Sequence, residues 1–191
     1  MKTLLAGLAA MLLQIGAAQA LTLDFSADAD TYQASPYTVT YATITSSGPE
    51  LYLAPEGFGT PSFGPDGGLC GVTTVGGVDC ATVLTFEFSL PIADLSFVTN
   101  QPDAGDVATA TVFNGATELD TATITTAGTT SFAGVSGITS LVIDASDSTG
   151  LGFVYGDFAF SAASAAVPAP AAAPLLLGAL GGFAWLRRRQ A

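Results

Sequence analysis

The sequence predicts an all-β fold, a sandwich or a barrel, and three observations support this prediction. Only 10% of the 191 residues are charged, and the residue types that favour strands, Thr, Val, Ile and Phe, are frequent. Clusters of Gly, Asn, Asp and Ser separate short apolar runs, which is the spacing of strands and tight turns. Within Val83 to Leu90 apolar and polar side chains alternate, as in a strand with one buried face.

The N-terminal segment, residues 1–20, has the pattern of a secretory signal peptide. Lys2 gives it a positive start, an apolar core runs from Leu4 to Ile15, and the small residues Ala18 and Ala20 form a cleavage pattern. A permanent membrane helix, the alternative, would need a longer apolar core. We therefore expect signal peptidase to cleave this segment and the mature chain to begin at Leu21.

Residues 21–161 are predicted to form one exported domain, because a segment of this length builds a single core. Its predicted strands are Leu21 to Phe25, Tyr37 to Thr45, Leu51 to Leu53, Val83 to Leu90, Ile92 to Val98, Val107 to Phe113, Glu118 to Thr125, Thr129 to Phe132, Ile138 to Asp144, Leu151 to Tyr155 and Asp157 to Ser161. Pro91 is expected to end one strand, and the pair Asn114 and Gly115 is expected to turn a hairpin.

The longest loop is predicted over residues 54–68, which are rich in Gly and Pro. Phe58 and Phe63 lie in it, and exposed phenylalanines there would be able to stack on a sugar ring. A loop of this length usually needs its own aromatic side chains to hold it against the domain, so we favour packing for both residues.

Two cysteines, Cys70 and Cys80, follow this loop, and the sequence contains no others. An exported domain folds in an oxidising compartment, so one disulfide between them is the simplest prediction. A metal site with two thiolates would lack its remaining ligands, because the chain contains no histidine.

The charge of the domain is entirely negative. All 16 acidic residues lie between Asp24 and Asp157, whereas the four basic residues are Lys2 and three arginines near the C-terminus. Nucleic acid and anionic lipid are therefore excluded as direct electrostatic partners of the domain. Solvent counterions, a divalent metal or backbone N–H groups must compensate the carboxylates.

An enzyme is not predicted. Without histidine, and with the only lysine in the signal peptide, the usual means of activating a nucleophile are missing. Pairs of carboxylates occur by chance in so acidic a domain, and no spacing distinguishes one of them. Three acidic groups have the oxygen-rich pattern of calcium loops, although aspartates of this kind also stabilise turns: Asp24 with Asp28 and Asp30, Asp103 with Asp106, and Asp144 with Asp147.

The C-terminal segment, residues 167–191, has three parts in a fixed order, after an Ala/Ser linker at residues 162–166. The first is the motif Val167, Pro168, Ala169, Pro170 and Ala171. An apolar stretch follows, about 24 Å long as a helix and so a marginal membrane span. The third part is a basic cluster, which the positive-inside rule places in the cytoplasm: Arg187, Arg188 and Arg189.

This order of parts resembles the PEP-CTERM sorting signals of Gram-negative bacteria, in particular the VPLPA-CTERM variety, with Ala169 at the usual leucine position. The resemblance implies that the chain is held transiently in the inner membrane and then processed by an exosortase. It also implies release to the outer surface or the extracellular matrix. An ordinary C-terminal membrane anchor is the alternative.

The β-rich region is similar to the jelly-roll, carbohydrate-binding-module-like domains of PEP-CTERM proteins. The resemblance lies in Phe86 to Pro91, Ala110 to Gly115, Ile138 to Leu141 and Gly156 to Phe160. It implies a jelly-roll β-sandwich in which a structural calcium joins the first and last strands through Asp24 and Asp157.

We therefore expect a structural or adhesive protein of the cell surface. The alternative is a carbohydrate-binding module for extracellular polysaccharide, in which tyrosines would stack on the sugar: Tyr32, Tyr37, Tyr52 and Tyr155.

Overall fold

The computed structural model describes residues 20–100 and 102–163, which form an all-β structure. The predicted signal peptide up to residue 19 and the C-terminal sorting segment lie outside these residues. The strands are β1 (Ala20–Thr22), β2 (Thr31–Ala34), β3 (Tyr37–Val39), β4 (Ala42–Ser46), β5 (Glu50–Ala54), β6 (Gly68–Val72), β7 (Val83–Asn100), β8 (Ala108–Asn114), β9 (Thr117–Ile124), β10 (Gly128–Ser131), β11 (Ser136–Asp144) and β12 (Val154–Ala162). All pairs of these strands are antiparallel, and a short 3-10 turn, Ser26–Asp28, follows β1.

The long strand β7 joins the two halves of the sheet. Its first half pairs with β4 and β11, and through them with β3, β8 and β9. Its second half pairs with β12 and β10, and β12 continues through β6 and β5 to β2, with β1 also on β12. A large antiparallel sheet that shares one strand between two halves in this way is consistent with a β-sandwich.

The core lies between these halves. Phe86, in the first half of β7, packs on Phe158 of β12 with ring centroids 5.0 Å apart, and Phe97 stacks on the same ring at 5.3 Å. All three side chains are fully buried, as are Leu84 and Ile143. Full burial of each such side chain contributes about 1.5–3 kcal/mol, so this cluster contributes substantially to stability.

Pro91 does not end a strand, contrary to the prediction. It is exposed within β7, at the point where the pairing with β11 jumps from Glu87 opposite Ser140 to Ile92 opposite Ile138. The missing N–H of proline is tolerated where the ladder is already irregular. Pro91 therefore lies at the junction between the two halves of the sheet and not at the end of a strand.

Two other strand predictions were wrong: one predicted strand is a hairpin of two strands, and two predicted strands are a single strand. The segment Tyr37 to Thr45, predicted as one strand, is a hairpin in which Tyr37 of β3 pairs with Ile44 of β4. Its alternating pattern fits both arms, and no Gly or Asn marks the turn. The segments Leu151 to Tyr155 and Asp157 to Ser161 were predicted as two strands. From Val154 onwards they form the single strand β12, and their expected break is a bulge at Asp157, whose φ is 48°.

The predicted loop between β5 and β6 is confirmed, and Phe63 packs as expected. Gly68 of β6 and Gly156 of β12 are directly paired, and together they leave a flat area on the outer face of the sheet. The ring of Phe63 fills this area, since a Cβ at Gly68 would lie 2.5 Å from Phe63 Cε2. Phe63 is buried in a second, smaller apolar cluster, and Phe58 is only half-buried at its margin.

Candidate functional site

A cleft of about 400 Å³ lies on the outer face of the half-sheet that contains β2, β5, β6 and β12. Its floor is a row of side chains across neighbouring strands: Tyr32 pairs with Tyr52, and Tyr52 pairs with Cys70. Val154 of β12 continues the lining. Because side chains alternate between faces, the neighbours Leu51 and Leu53 point into the main core while Tyr52 lines the cleft.

The two tyrosine rings are held by ring packing and by hydrogen bonds of their hydroxyl groups. Their centroids are 5.3 Å apart and their planes are tilted by 45°, and Phe58 packs edge-on against Tyr52 at 6.0 Å. The Tyr32 hydroxyl donates a hydrogen bond to the carbonyl of Gly77 at 3.0 Å, and the Tyr52 hydroxyl donates one to Asp30 Oδ1 at 3.1 Å. Contacts within the domain therefore hold both rings in place.

The disulfide between Cys70 and Cys80 forms one wall of the cleft, with Cα atoms 5.5 Å apart. It closes the loop that carries Gly77 and Val78. The loop is also held by a hydrogen bond from Gly76 N to Glu50 and by one from Cys80 N to the carbonyl of Leu151. The predicted disulfide therefore lines the cleft in addition to cross-linking the fold.

Exposed apolar side chains concentrate around this cleft. In the described part of the chain the large apolar residues that remain exposed are Tyr32, Val75, Val78, Leu119 and Leu151. Three of them line the cleft and Val75 lies on the disulfide loop. Val78 is 72% exposed and Leu151 is 50% exposed, so the rim offers apolar surface that the fold itself does not use.

The cleft carries negative charge. Asp30 and Asp103 line it, and residues 20–100 and 102–163 contain no Lys, Arg or His to compensate them. Asp103 Oδ2 accepts a hydrogen bond from Leu151 N at 3.3 Å. Partial burial raises the pKa of the Tyr52 hydroxyl to about 12, and its hydrogen bond to Asp30 adds to this shift. Tyr52 is therefore a neutral donor at physiological pH.

Of the four tyrosines considered for stacking, the structure brings Tyr32 and Tyr52 together in the cleft. Tyr37 lies elsewhere, and its hydroxyl donates to Asp28 Oδ2 at 2.9 Å. Tyr155 is 1% exposed and packs against Phe97 and Phe153 in the core, so it cannot stack on a ligand.

The predicted calcium residues Asp24 and Asp157 belong to segments that the fold makes neighbours, since β1 pairs with β12. Asp24 Oδ1 accepts a hydrogen bond from Ser26 N at 2.9 Å, and hydrogen bonding from Ser26 lowers the pKa of Asp24. Asp157 Oδ1 accepts one from Gly64 N at 2.8 Å and so ties the long loop to β12. Within the described ranges no three Asp, Glu, Cys or His residues are grouped as metal ligands.

The other acidic groups also bind the backbone. Asp106 is 4% exposed, and it accepts hydrogen bonds from Asp103 N at 2.7 Å and Gly150 N at 3.0 Å. Asp144 Oδ1 accepts hydrogen bonds from the N–H and the hydroxyl of Ser146. These contacts are those of turn-stabilising aspartates, which the sequence analysis weighed against calcium binding.

Sequence reasoning missed several parts of the cleft. It identified the aromatic residues and the cysteines of the lining, and it named Asp30 and Asp103 only as possible calcium ligands. It missed the rim residues Val78 and Leu151, which are contributed by loops whose approach no local pattern indicates. The feature that these two residues share is an exposed apolar side chain beside a turn or bend.

The predicted sorting motif Val167 to Ala171, the basic cluster Arg187 to Arg189 and the cleavage residue Ala18 lie outside the described residues. Among the residues that the structure does describe, no helix has the length and apolar character to span a membrane. Comparisons of the chain with protein-family models, with curated proteins and with solved structures find no match.

Proposed function

We propose that this chain is an exported, non-enzymatic protein that becomes a structural or adhesive component of the bacterial surface or extracellular matrix. The observation that carries the proposal is the order of parts along the chain: a segment with the pattern of a signal peptide, an acidic β-domain, a Val-Pro-Ala-Pro-Ala motif, an apolar stretch and three arginines. The Cys70–Cys80 disulfide supports it, because such bonds persist in oxidising compartments.

Localisation in the producing bacterium tests this proposal. A chain truncated after residue 166 should be secreted past the membrane without retention, whereas the full chain should be found at the surface or in the matrix fraction. A second variant replaces Arg187, Arg188 and Arg189 by glutamine, which removes only the basic cluster and keeps the length, and it should also fail to be sorted to the surface. If the full chain remains in the cytoplasm or stays uncleaved in the inner membrane, the proposal is wrong.

The jelly-roll type of sandwich is part of the proposal. Pairing of the first strand β1 with the last strand β12, and a crossover of β7 between two half-sheets, support it. A structural calcium at Asp24 and Asp157 belongs to the same proposal, since it would bind where these strands meet. An experimental structure with calcium added tests both features, and its strand order decides the type of sandwich.

The second candidate function is carbohydrate binding, and the cleft favours it. Two fixed tyrosine rings beside exposed apolar side chains suit the apolar face of a sugar ring, and carboxylates accept hydrogen bonds from hydroxyl groups. Retardation of the protein in gels that contain soluble polysaccharides is the test. Tyr32→Ala should abolish retardation and Tyr37→Ala should leave it unchanged, and equal behaviour of the two variants would contradict this function.

A further inference from the structure

We propose that the cleft binds a cationic amino sugar, a hexose unit with a free, protonated amino group, in preference to neutral or acidic sugars. This inference rests on the carbohydrate-binding function proposed above and names the class of sugar. It follows from the combination of fixed aromatic faces with uncompensated carboxylates in one concave site of about 400 Å³. That volume lies within the range of small-ligand sites.

The aromatic part of the site supplies stacking. Hydrogen bonds hold the hydroxyl groups of Tyr32 and Tyr52, and Phe58 packs edge-on against the ring of Tyr52. Both rings therefore lose little conformational freedom when a ligand binds. Tyr32 is 40% exposed, whereas Tyr52 is half-buried. Aromatic faces attract the C–H face of a sugar and, through their quadrupole, a nearby cation.

The carboxylates supply the charge selection. Asp30 uses Oδ1 to accept from Tyr52, and Asp103 uses Oδ2 to accept from Leu151 N. Each side chain is exposed, and its second oxygen has no hydrogen-bond partner within the described ranges. Because no Lys, Arg or His occurs in those ranges, an ammonium group entering the cleft can pair with a carboxylate and meets no like charge.

An acidic sugar is disfavoured for the same reason. The described residues include all 16 acidic residues of the chain and no basic one, so a carboxylated or sulfated sugar would be repelled on approach and within the cleft. A neutral sugar would use the tyrosines but would leave the two carboxylates to pair only with hydroxyl groups. The cationic sugar is the class that uses both the tyrosine rings and the carboxylates of the site.

Calorimetric titration of the full-length chain at about pH 5.5 tests the proposal, because sugar amines are protonated there. The titrants are tetrasaccharides of glucosamine, N-acetylglucosamine, glucose and galacturonic acid, and tetralysine as a cation without a sugar ring. In physiological salt, where long-range attraction is screened, the glucosamine tetramer should bind about tenfold or more tighter than the glucose tetramer.

Variants assign the effect to the cleft. Asp30→Asn should reduce the preference for the amine, because only Asp103 then remains charged in the cleft, whereas Asp28→Asn and Glu118→Gln, which change the net charge equally outside the cleft, should keep it. Tyr32→Ala should weaken binding of every sugar about tenfold or more. Unchanged circular dichroism and melting temperature establish that each variant is folded.

Each contrary outcome has a distinct meaning. Equal affinity for the glucose and glucosamine tetramers would overturn amine selection and leave carbohydrate binding standing. No binding of any saccharide would overturn both. Equal loss in Asp30→Asn and Glu118→Gln, or equal affinity for tetralysine, would show general attraction to an acidic surface and overturn the amino-sugar site.

Discussion

Carboxylates in this domain are compensated mainly by backbone N–H groups. Nine of the 16 acidic side chains accept at least one such hydrogen bond: Asp24, Glu50, Asp79, Asp94, Asp103, Asp106, Asp120, Asp144 and Asp157. Several of these bonds span long sequence separations, such as Asp157 to Gly64 and Asp94 to Gly134. The acidic side chains therefore connect loops, a task that ion pairs perform in many other proteins.

Asp106 is the clearest case, because it is buried and holds the loops at residues 103 and 150 together. Asp106→Ala leaves two backbone N–H groups without their acceptor, and we expect it to lower the free energy of unfolding by about 2–4 kcal/mol. Asp147→Ala, at an exposed aspartate of the same region, is the matched control and should change it by less than about 0.5 kcal/mol. Urea denaturation compares them, and similar stabilities would contradict the structural role of Asp106.

Tyrosine ionisation predicts a loss of stability at high pH. Burial raises the pKa values of Tyr37 and Tyr52 to about 12, and hydrogen bonds to Asp28 and Asp30 add to the shifts. A raised folded-state pKa stabilises the protein fully below the unfolded-state value of about 10, and that contribution is lost as the pH rises towards 12. In urea denaturation between pH 9 and 12, Tyr37→Phe/Tyr52→Phe should therefore lose less stability than the unmodified chain. An identical slope for both proteins would refute this assignment.

At the scale of elements, β7 shows what local sequence predicts and what it leaves open. The alternation around Phe86 identified the strand and its buried face, because period-2 patterns report burial directly. Pro91 was interpreted as a stop, although the partners of Glu87 and Ile92 on β11 decide whether the strand continues. The hairpin of β3 and β4 was missed for the same reason, since its turn is fixed by pairing of β4 with β7.

The disulfide loop is the element on which the cleft depends most. Cys70 and Cys80 close a ten-residue separation, and removing this restraint should cost about 2–3 kcal/mol of unfolding free energy. Cys70→Ala/Cys80→Ala is the variant to measure by denaturation, with Val75→Ala in the same loop as a control within about 0.5 kcal/mol. Thiol labelling of the denatured, unreduced chain should find no free thiol. Two free thiols, or an unchanged stability of the double variant, would contradict the prediction.

The fold class of the whole molecule could be predicted from the sequence, but only part of the cleft could. Composition and alternation sufficed for an all-β fold, because strand propensity and turn residues act locally. The cleft assembles Asp30, Tyr52, Val78, Asp103 and Leu151 from five separate segments. Their proximity depends on the strand order β2-β5-β6-β12, which arises from long-range pairing and has no local pattern.

The uniform negative charge makes stability sensitive to cations. Sixteen carboxylates repel one another more in the folded domain than in an expanded chain. Cations that bind where the fold brings carboxylates close together should therefore stabilise the folded state. Calcium bound at Asp24 and Asp157 would add about 2.7 kcal/mol at one hundred times its Kd. We expect calcium to raise Tm more than sodium chloride at equal ionic strength, and Asp24→Asn or Asp157→Asn to remove the difference. Equal rises in Tm with calcium and with sodium chloride would mean that both salts act only by screening the repulsion between carboxylates.

Intact-mass measurement of the protein released by the producing bacterium tests the central claim most directly. Export and sorting require processing at both ends, so the released chain should begin at Leu21 and end near the motif at Val167 to Ala171. Trp185, the one tryptophan of the sequence, should be absent, and tryptophan fluorescence with it. A released protein whose mass still includes Trp185 and the three arginines would contradict the account.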